Sequence, residues 1–122
     1  MTIRLKHYIP AAAWLLIITG LSVTPGMQLP KFDLFSTDKL GHLAGYGLLT
    51  ALLLWGYYRS NGFRAGWRTG LLIFAFASGY GCLMEFVQGA FIPGRFYEVD
   101  DMIANAAGAA LVWLLAGTRL FR

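Results

Sequence analysis

Ionisable and amide side chains that could bind or transform a ligand form three short clusters in an otherwise apolar chain. The clustered residues are Asp38, Lys39, His42 and Tyr46, then Glu85 and Gln88, then Arg95, Asp101 and Asn105. Ionisable groups are costly inside a membrane and therefore normally mark a site. A carboxyl group beside an imidazole suits proton transfer, and a guanidinium group suits phosphate or carboxylate recognition. These clusters are the candidate functional residues.

Glu85 gives the sharpest signal of a site. It follows a long apolar run and precedes Phe86 and Val87, so exposure of its carboxylate to lipid would be expensive. We expect it to face the interior of a helix assembly, either protonated or paired with a cation. A purely structural ion pair with Arg95 or Lys39 is the alternative interpretation.

His42 is the member of the first cluster that ordinary helix chemistry explains least. Asp38 can cap a helix N-terminus, Lys39 can extend towards the interface, and Tyr46 can be an interfacial aromatic residue. His42 lies about one turn inside the apolar segment, where none of these roles applies. Lys39, His42 and Tyr46 share one helical face.

Asp101 and Asn105 are four residues apart and share a helical face. Asp100 and Asp101 suit a helix N-terminus, where the dipole favours anions, so one of them can be a cap. A buried amide needs hydrogen-bond partners, which a neighbouring span would supply to Asn105.

We expect Cys82 to be a packed small residue, since nothing beside it activates a thiolate.

Composition and charge place the chain in a membrane. Of its 122 residues, 57% are hydrophobic and 13% are charged, whereas about 25% is usual for soluble domains. One cysteine excludes an intramolecular disulfide. The sequence indicates no cofactor. A metal site of His42, Glu85 and Asp101 is possible, but it is weakly supported because only one of these residues is a histidine and no HExxH-type spacing is present. The chain is expected to bind no metal.

Apolar runs predict an all-α, four-helix transmembrane bundle in a single domain, 1–122. The predicted spans are 8–23, 40–58, 67–90 and 102–120. Small residues four apart predict close helix packing, as in Gly41/Gly45, Gly66/Gly70, Ala77/Gly81 and the run 104–110. Both termini and the second loop carry seven basic residues and no acid, while all six acids lie on the opposite side. The positive-inside rule therefore predicts cytoplasmic termini, and the net charge of +4 gives no reason to expect nucleic-acid binding.

The ordered set of motifs resembles the VanZ-like family over roughly residues 36 to 117. The motifs are Asp38-Lys39-x-x-His42-x-x-x-Tyr46, Glu85-x-x-Gln88, and Pro93-x-Arg95 followed by Asp101-x-x-x-Asn105-x-x-Gly108. The resemblance implies a small multi-pass protein of the bacterial cytoplasmic membrane. The family is named for a member that lowers susceptibility to teicoplanin, so the resemblance also implies a link to antibiotic resistance.

Three functions are compatible with these residues. A binding protein would hold a cell-envelope amphiphile, such as a lipid-linked wall precursor or a lipoglycopeptide, in an outward-facing polar pocket. Its ligand-binding residues would be Asp38, Lys39, Tyr46, Gln88, Arg95 and Asn105. An enzyme acting on a lipid-linked substrate would use Glu85 as general acid or base, His42 for proton transfer and Asp101 for orientation. A structural subunit would use the polar set only to order the helices, and the oligomeric state stays open.

Overall fold

The computed structural model describes residues 5–24, 37–62, 64–93 and 99–117, except for the side chains of Thr37 and Asp38. Within these ranges the chain forms a 3₁₀ turn, Lys6–Tyr8, and four α-helices. The helices are α1 (Ile9–Val23), α2 (Thr37–Asn61), α3 (Trp67–Phe91) and α4 (Val99–Ala116). The prediction of an all-helical chain is confirmed.

Local chemistry accounts for where the helices start and stop. Pro10 lies in the first turn of α1, where its missing N–H has no helical partner to lose. Gly62 ends α2 in the left-handed conformation, with φ of 77°, and its N–H donates to the Tyr58 carbonyl at 2.9 Å. A residue with a side chain would be strained there. Asp100 and Asp101 occupy the first turn of α4, where the helix dipole favours acids.

The central contact of the fold is the packing of α2 against α4. Helices α2 and α3 each contact the other three, and the α2–α4 contact is the most extensive of all. A Cβ added at Gly108 would collide with the Leu43 carbonyl oxygen, and one added at Gly47 would lie 3.3 Å from the Gly108 carbonyl oxygen. The two backbones therefore approach each other closely beside Leu43 because both crossing positions are glycine.

The other helix contacts use glycine in the same way. A Cβ at Gly81 of α3 would lie 2.8 Å from Asn105 Nδ2 of α4, and one at Gly70 would lie 2.9 Å from Trp113 Cδ1. Helix α1 is joined to α2 by the Trp14 Nε1–H, which donates to the Gly45 carbonyl at 2.8 Å. The predicted packing role holds for Gly70 and Gly81. It does not hold for the first member of two predicted pairs, because nothing lies within 4 Å of a Cβ at Gly41 or Gly66.

Among the residues that the structure describes, three helical segments are long and apolar enough to cross a membrane. They are Lys6–Val23, Trp67–Phe91 and Val99–Ala116. Helix α2 has 25 residues, about 37 Å of helix, but it is the least apolar of the four. Large apolar side chains are exposed on the outside, including Leu16 at 73% and Leu72 at 70%, which suits a lipid environment. A membrane span by α2, the four-helix bundle and the orientation of the termini stay predictions.

Candidate functional site

Polar residues from three helices meet at one end of the packed helices. His42 lies in the second turn of α2, Glu85 lies six residues before the end of α3, and Asp101 and Asn105 lie in the first two turns of α4. Sequential helices joined by short segments run antiparallel, so these positions fall at similar depth. We call His42, Glu85, Asp101 and Asn105 the polar cluster.

His42 connects the members of the polar cluster. Its Nδ1 lies 2.9 Å from Asn105 Oδ1, and its Nε2 lies 3.5 Å from Asp101 Oδ2. Because a carboxamide oxygen can only accept a hydrogen bond, the Nδ1–H of His42 donates to it. This bond fixes the orientation of the ring and directs Nε2 towards the carboxylates. One ligand atom from each of His42, Glu85 and Asp101 lies within 4.8 Å of the other two.

The polar cluster is almost entirely removed from solvent. Glu85 and Asn105 are each 1% exposed, Asp101 is 5% exposed, and the His42 side chain is 17% exposed. Asn105 fits between the helices because α3 presents Gly81 to it. Burying two acids, an imidazole and an amide together is costly unless each has partners, so the arrangement is not what helix packing alone would select.

Two further predicted residues, Tyr46 and Gln88, are buried beside the polar cluster. Tyr46 is 4% exposed and packs in the apolar core with Ile18, Leu49, Ala77 and Ala109. Its hydroxyl has no hydrogen-bond partner among the described residues. This hydroxyl is close enough to the Glu85 carboxyl group for the two to interact electrostatically. Gln88 is 4% exposed, and its Nε2 donates to the Ser22 carbonyl at 3.1 Å, which joins α3 to the end of α1.

Lys39 forms the exposed rim of this end. Its Nζ lies 3.8 Å from Asp100 Oδ2, and the two side chains are 38% and 73% exposed. Asp38 lies in the first turn of α2. The Asp38 side chain and all of Arg95 lie outside the described residues, so their predicted roles stay predictions.

Two residues of α3, Cys82 and Tyr80, differ from the sequence-based expectation or escaped it. Cys82 is exposed, so the expected packing of this residue was wrong. It follows Gly81, which faces Asn105, and successive residues of a helix turn by about 100°, so Cys82 points away from the contact. Tyr80 was not singled out, yet its hydroxyl forms a hydrogen bond with Thr19 of α1.

A cavity of about 290 Å³ lies away from the polar cluster. Its lining residues are Tyr8, Leu53, Tyr57, Thr69, Leu72, Ile73 and Phe76. Leu53 is eleven residues after His42 on α2, which is about 16 Å along the helix axis. This cavity is mostly apolar and is not the predicted polar pocket, which stays a prediction.

Comparison with known proteins decides which family the chain represents. A family model described as VanZ/LLP1 matches residues 5–122. The chain belongs to the VanZ/LLP1 family. The match confirms the resemblance drawn from the motifs, and it includes every residue of the polar cluster. Searches of curated proteins and of solved structures gave no match.

The polar cluster gives this VanZ/LLP1 protein a defined set of chemical options. The two carboxyl groups and the imidazole can hold or move a proton, and the same three groups can coordinate a cation. The amide of Asn105 orients the imidazole. Together with the three apolar helical segments found among the described residues, these features describe a VanZ-like membrane protein with a buried ionisable centre at one end.

Proposed function

We propose that this VanZ/LLP1 protein binds the polar part of a cell-envelope amphiphile at the end of the helices that contains the polar cluster. The ligand class is a lipid-linked wall precursor or a lipoglycopeptide such as teicoplanin. The observation that carries the proposal is the burial of Glu85, Asp101 and Asn105 around a partly buried His42, with the four residues contributed by three different helices.

The cost of this burial supports a function beyond packing. Helices in lipid associate through close backbone contacts and a few hydrogen bonds. The Gly108–Leu43 and Gly81–Asn105 approaches already provide such contacts. Two carboxyl groups beside an imidazole add desolvation cost without being needed for that association. Ionisable groups retained at such positions in membrane proteins usually serve a ligand or a proton.

The surroundings of the polar cluster suit a ligand with a polar head and an apolar tail. Lys39 is exposed at the rim and can contact phosphate or carboxylate. The N-termini of α2 and α4 lie at this end, and their dipoles attract anions. Next to Glu85, Phe86 is 56% exposed, and Phe91 at the end of α3 is 71% exposed. An acyl or prenyl chain can pack on these rings while the head group contacts the rim.

We place the polar cluster on the outer side of the bacterial cytoplasmic membrane. Arg59, Arg64 and Arg68 are exposed at the opposite end of the helices. Arg59 lies 6.0 Å from the ring centre of Trp55, and Arg68 lies 5.4 Å from that of Trp67. Basic residues with aromatic neighbours are typical of a cytoplasmic interface. A periplasmic reporter fused after Arg122 should be inactive, and activity there would reverse the orientation.

Ligand binding is tested with the full chain in lipid nanodiscs. The probes are undecaprenyl diphosphate and teicoplanin, with phosphatidylglycerol as the reference lipid. We expect saturable binding of at least one probe. Asp101→Asn should weaken it at least about tenfold, which corresponds to about 1.4 kcal/mol. Asp100→Asn is the matched control, because the same change is made at an adjacent, exposed acid.

Two outcomes would contradict the proposal. One is that neither probe binds more tightly than phosphatidylglycerol. The other is equal loss of binding in Asp100→Asn and Asp101→Asn with normal helix content. Mass spectrometry of the recovered probe separates binding from catalysis, since we expect it unchanged. A converted probe would replace this proposal with the acid–base enzyme. In cells, lowered teicoplanin susceptibility should follow production of the wild type and not of Asp101→Asn.

A further inference from the structure

Sequence spacing gave only weak support to a metal site of His42, Glu85 and Asp101, and the fold supplies the proximity that the spacing lacks. His42, Glu85 and Asp101 come from α2, α3 and α4, so they share no local motif. In the fold, one ligand atom from each lies within 4.8 Å of the other two. Imidazole nitrogen and carboxylate oxygen are the usual protein ligands of divalent transition metals.

The orientation of His42 is the one a metal ligand needs. Histidine ligands almost always donate their second ring N–H to a carbonyl or carboxylate, which fixes the tautomer. Here the Nδ1 of His42 lies 2.9 Å from Asn105 Oδ1. The lone pair of the neutral ring is therefore on Nε2, which is the nitrogen that faces Asp101. Asn105 acts as a positioning residue for the imidazole.

The spacing of the ligand atoms matches coordination better than a direct hydrogen bond. His42 Nε2 lies 3.5 Å from Asp101 Oδ2, which exceeds the 2.7–3.2 Å range of N–H···O bonds. Two ligands that are each about 2.1 Å from a tetrahedral ion lie about 3.4 Å apart. The Glu85 carboxylate oxygen lies within 4.8 Å of the other two ligand atoms, and it would move closer to complete such a site.

Charge balance also favours a cation in the polar cluster. In their metal-binding forms, a neutral imidazole and two carboxylates would together carry two negative charges. One divalent ion would give the set no net charge, which lowers the cost of its burial at 1% and 5% exposure for the two acids. The single imidazole favours Zn²⁺ or Mn²⁺ over Mg²⁺, which prefers oxygen ligands and retains its waters.

Two buried donors beside the set point to a further ligand. The Tyr46 hydroxyl and Asn105 Nδ2 have no hydrogen-bond partner among the described residues, although Tyr46 is 4% exposed and Asn105 is 1% exposed. Tyr46 follows His42 by one turn on the same face of α2 and lies within electrostatic range of Glu85. An oxygen bound to a metal ion at this place would accept from such donors, as unsatisfied buried groups require.

We propose that His42, Glu85 and Asp101 bind one divalent transition-metal ion, Zn²⁺ or Mn²⁺. Three protein ligands leave at least one coordination position open. The open position would receive a phosphate or carboxylate oxygen of the amphiphile, and this part rests on the proposed function. The ion would thus supply the positive charge that two carboxylates cannot offer to an anionic head group.

The test uses full-length protein in nanodiscs, purified through a tag without histidine and stripped with EDTA. Zn²⁺, Mn²⁺ and Mg²⁺ are titrated separately, and bound metal is counted by elemental mass spectrometry. We expect one Zn²⁺ or Mn²⁺ per chain and no stoichiometric Mg²⁺. Substitution with Co²⁺ should give a visible absorption spectrum typical of mixed nitrogen and oxygen ligands.

Matched variants assign the metal ligands. His42→Gln should weaken binding at least about tenfold, the scale of losses in well-ordered metal sites. His7→Gln, at the opposite end of the helices, should leave it unchanged. Glu85→Gln should weaken binding as His42→Gln does, and it serves if His42→Gln does not fold. Stripped wild-type protein that takes up no ion would overturn the proposal, as would equal losses in His7→Gln and His42→Gln.

Failure of the metal site and failure of the proposed function are distinguishable. Undecaprenyl diphosphate that binds stripped protein as tightly as metal-loaded protein would remove the metal from recognition and leave the function standing. A stoichiometric ion without binding of any probe would do the reverse. Metal-dependent probe binding, lost in Glu85→Gln, is the result that supports both.

Discussion

The two ends of this molecule differ in what their helices enclose: ionisable groups at one end and an apolar cavity at the other. At one end, Glu85, Asp101 and Asn105 are packed almost without exposure, and the His42 side chain beside them is 17% exposed. At the other, apolar side chains such as Leu53 and Phe76 border an open cavity of about 290 Å³. In lipid, an apolar cavity costs little because acyl chains can fill it, whereas buried acids are costly. In such a protein, the position of buried ionisable side chains indicates a functional site better than an apolar cavity does.

Both ends are nevertheless held by glycine contacts. Gly108 and Gly81 position the polar end, and Gly70 accommodates Trp113 nearer the cavity end. The difference lies in what each glycine meets. Gly108 meets the backbone of α2, which cannot move aside, while Gly70 meets a side chain. At the cavity end, a Cβ at Gly56 would lie 2.9 Å from the His7 carbonyl oxygen, and one at Gly108 would lie closer still to the Leu43 carbonyl oxygen. The polar end is therefore the more tightly packed of the two.

The largest expected effect comes from Gly108→Ala. The new Cβ would meet the Leu43 carbonyl, so α2 and α4 must separate beside His42. Overpacking of this kind costs about 1–3 kcal/mol. Gly41→Ala is the control, because nothing lies within 4 Å of a Cβ there. Thermal unfolding in detergent should show a lower Tm for Gly108→Ala alone, and equal Tm values in both variants would contradict the close approach.

Asn105→Ala should have the next largest effect. It removes the hydrogen-bond acceptor of His42 Nδ1 in a site that is 1% exposed, at a cost of about 1–3 kcal/mol. Asn61→Ala is matched, because Asn61 Nδ2 donates to the Tyr57 carbonyl at the far end of α2. Denaturant unfolding should separate the two variants. A larger loss of stability in Asn61→Ala than in Asn105→Ala would show that the polar end is not the more tightly packed one.

Asp100→Asn should change stability least. The Lys39–Asp100 pair is 3.8 Å long and exposed, and such pairs contribute about 0–1 kcal/mol. The effect should shrink further in high salt, because exposed charges are screened. Unfolding measured at low and high salt tests this, and a large, salt-independent loss would place Asp100 inside the polar cluster.

Much of this comparison was already visible in the sequence. Apolar runs indicated four helices, and the position of Glu85 inside an apolar run indicated a buried acid. Motif order indicated the family, which the match over residues 5–122 confirms. The inference about Glu85 succeeds because an ionisable group in an apolar run carries a large energetic cost regardless of its partners.

The partners themselves could not be derived from spacing. That His42 Nδ1 meets Asn105 while Nε2 faces Asp101 depends on how α2 rotates against α4, and Gly108 sets that contact. Small-residue spacing was ambiguous for the same reason. Gly41 and Gly66 fit the pattern yet have open space, since spacing shows which residues share a face and not what the face meets.

The most direct test of the central claim compares one variant from each end. Glu85→Gln alters the polar end with little change in shape, and Ile73→Trp fills part of the apolar cavity. Binding of undecaprenyl diphosphate and teicoplanin is measured on both variants in nanodiscs at equal helix content. The account predicts that Glu85→Gln loses binding and that Ile73→Trp retains it. Retained binding in Glu85→Gln together with loss in Ile73→Trp would contradict it and move the site to the cavity.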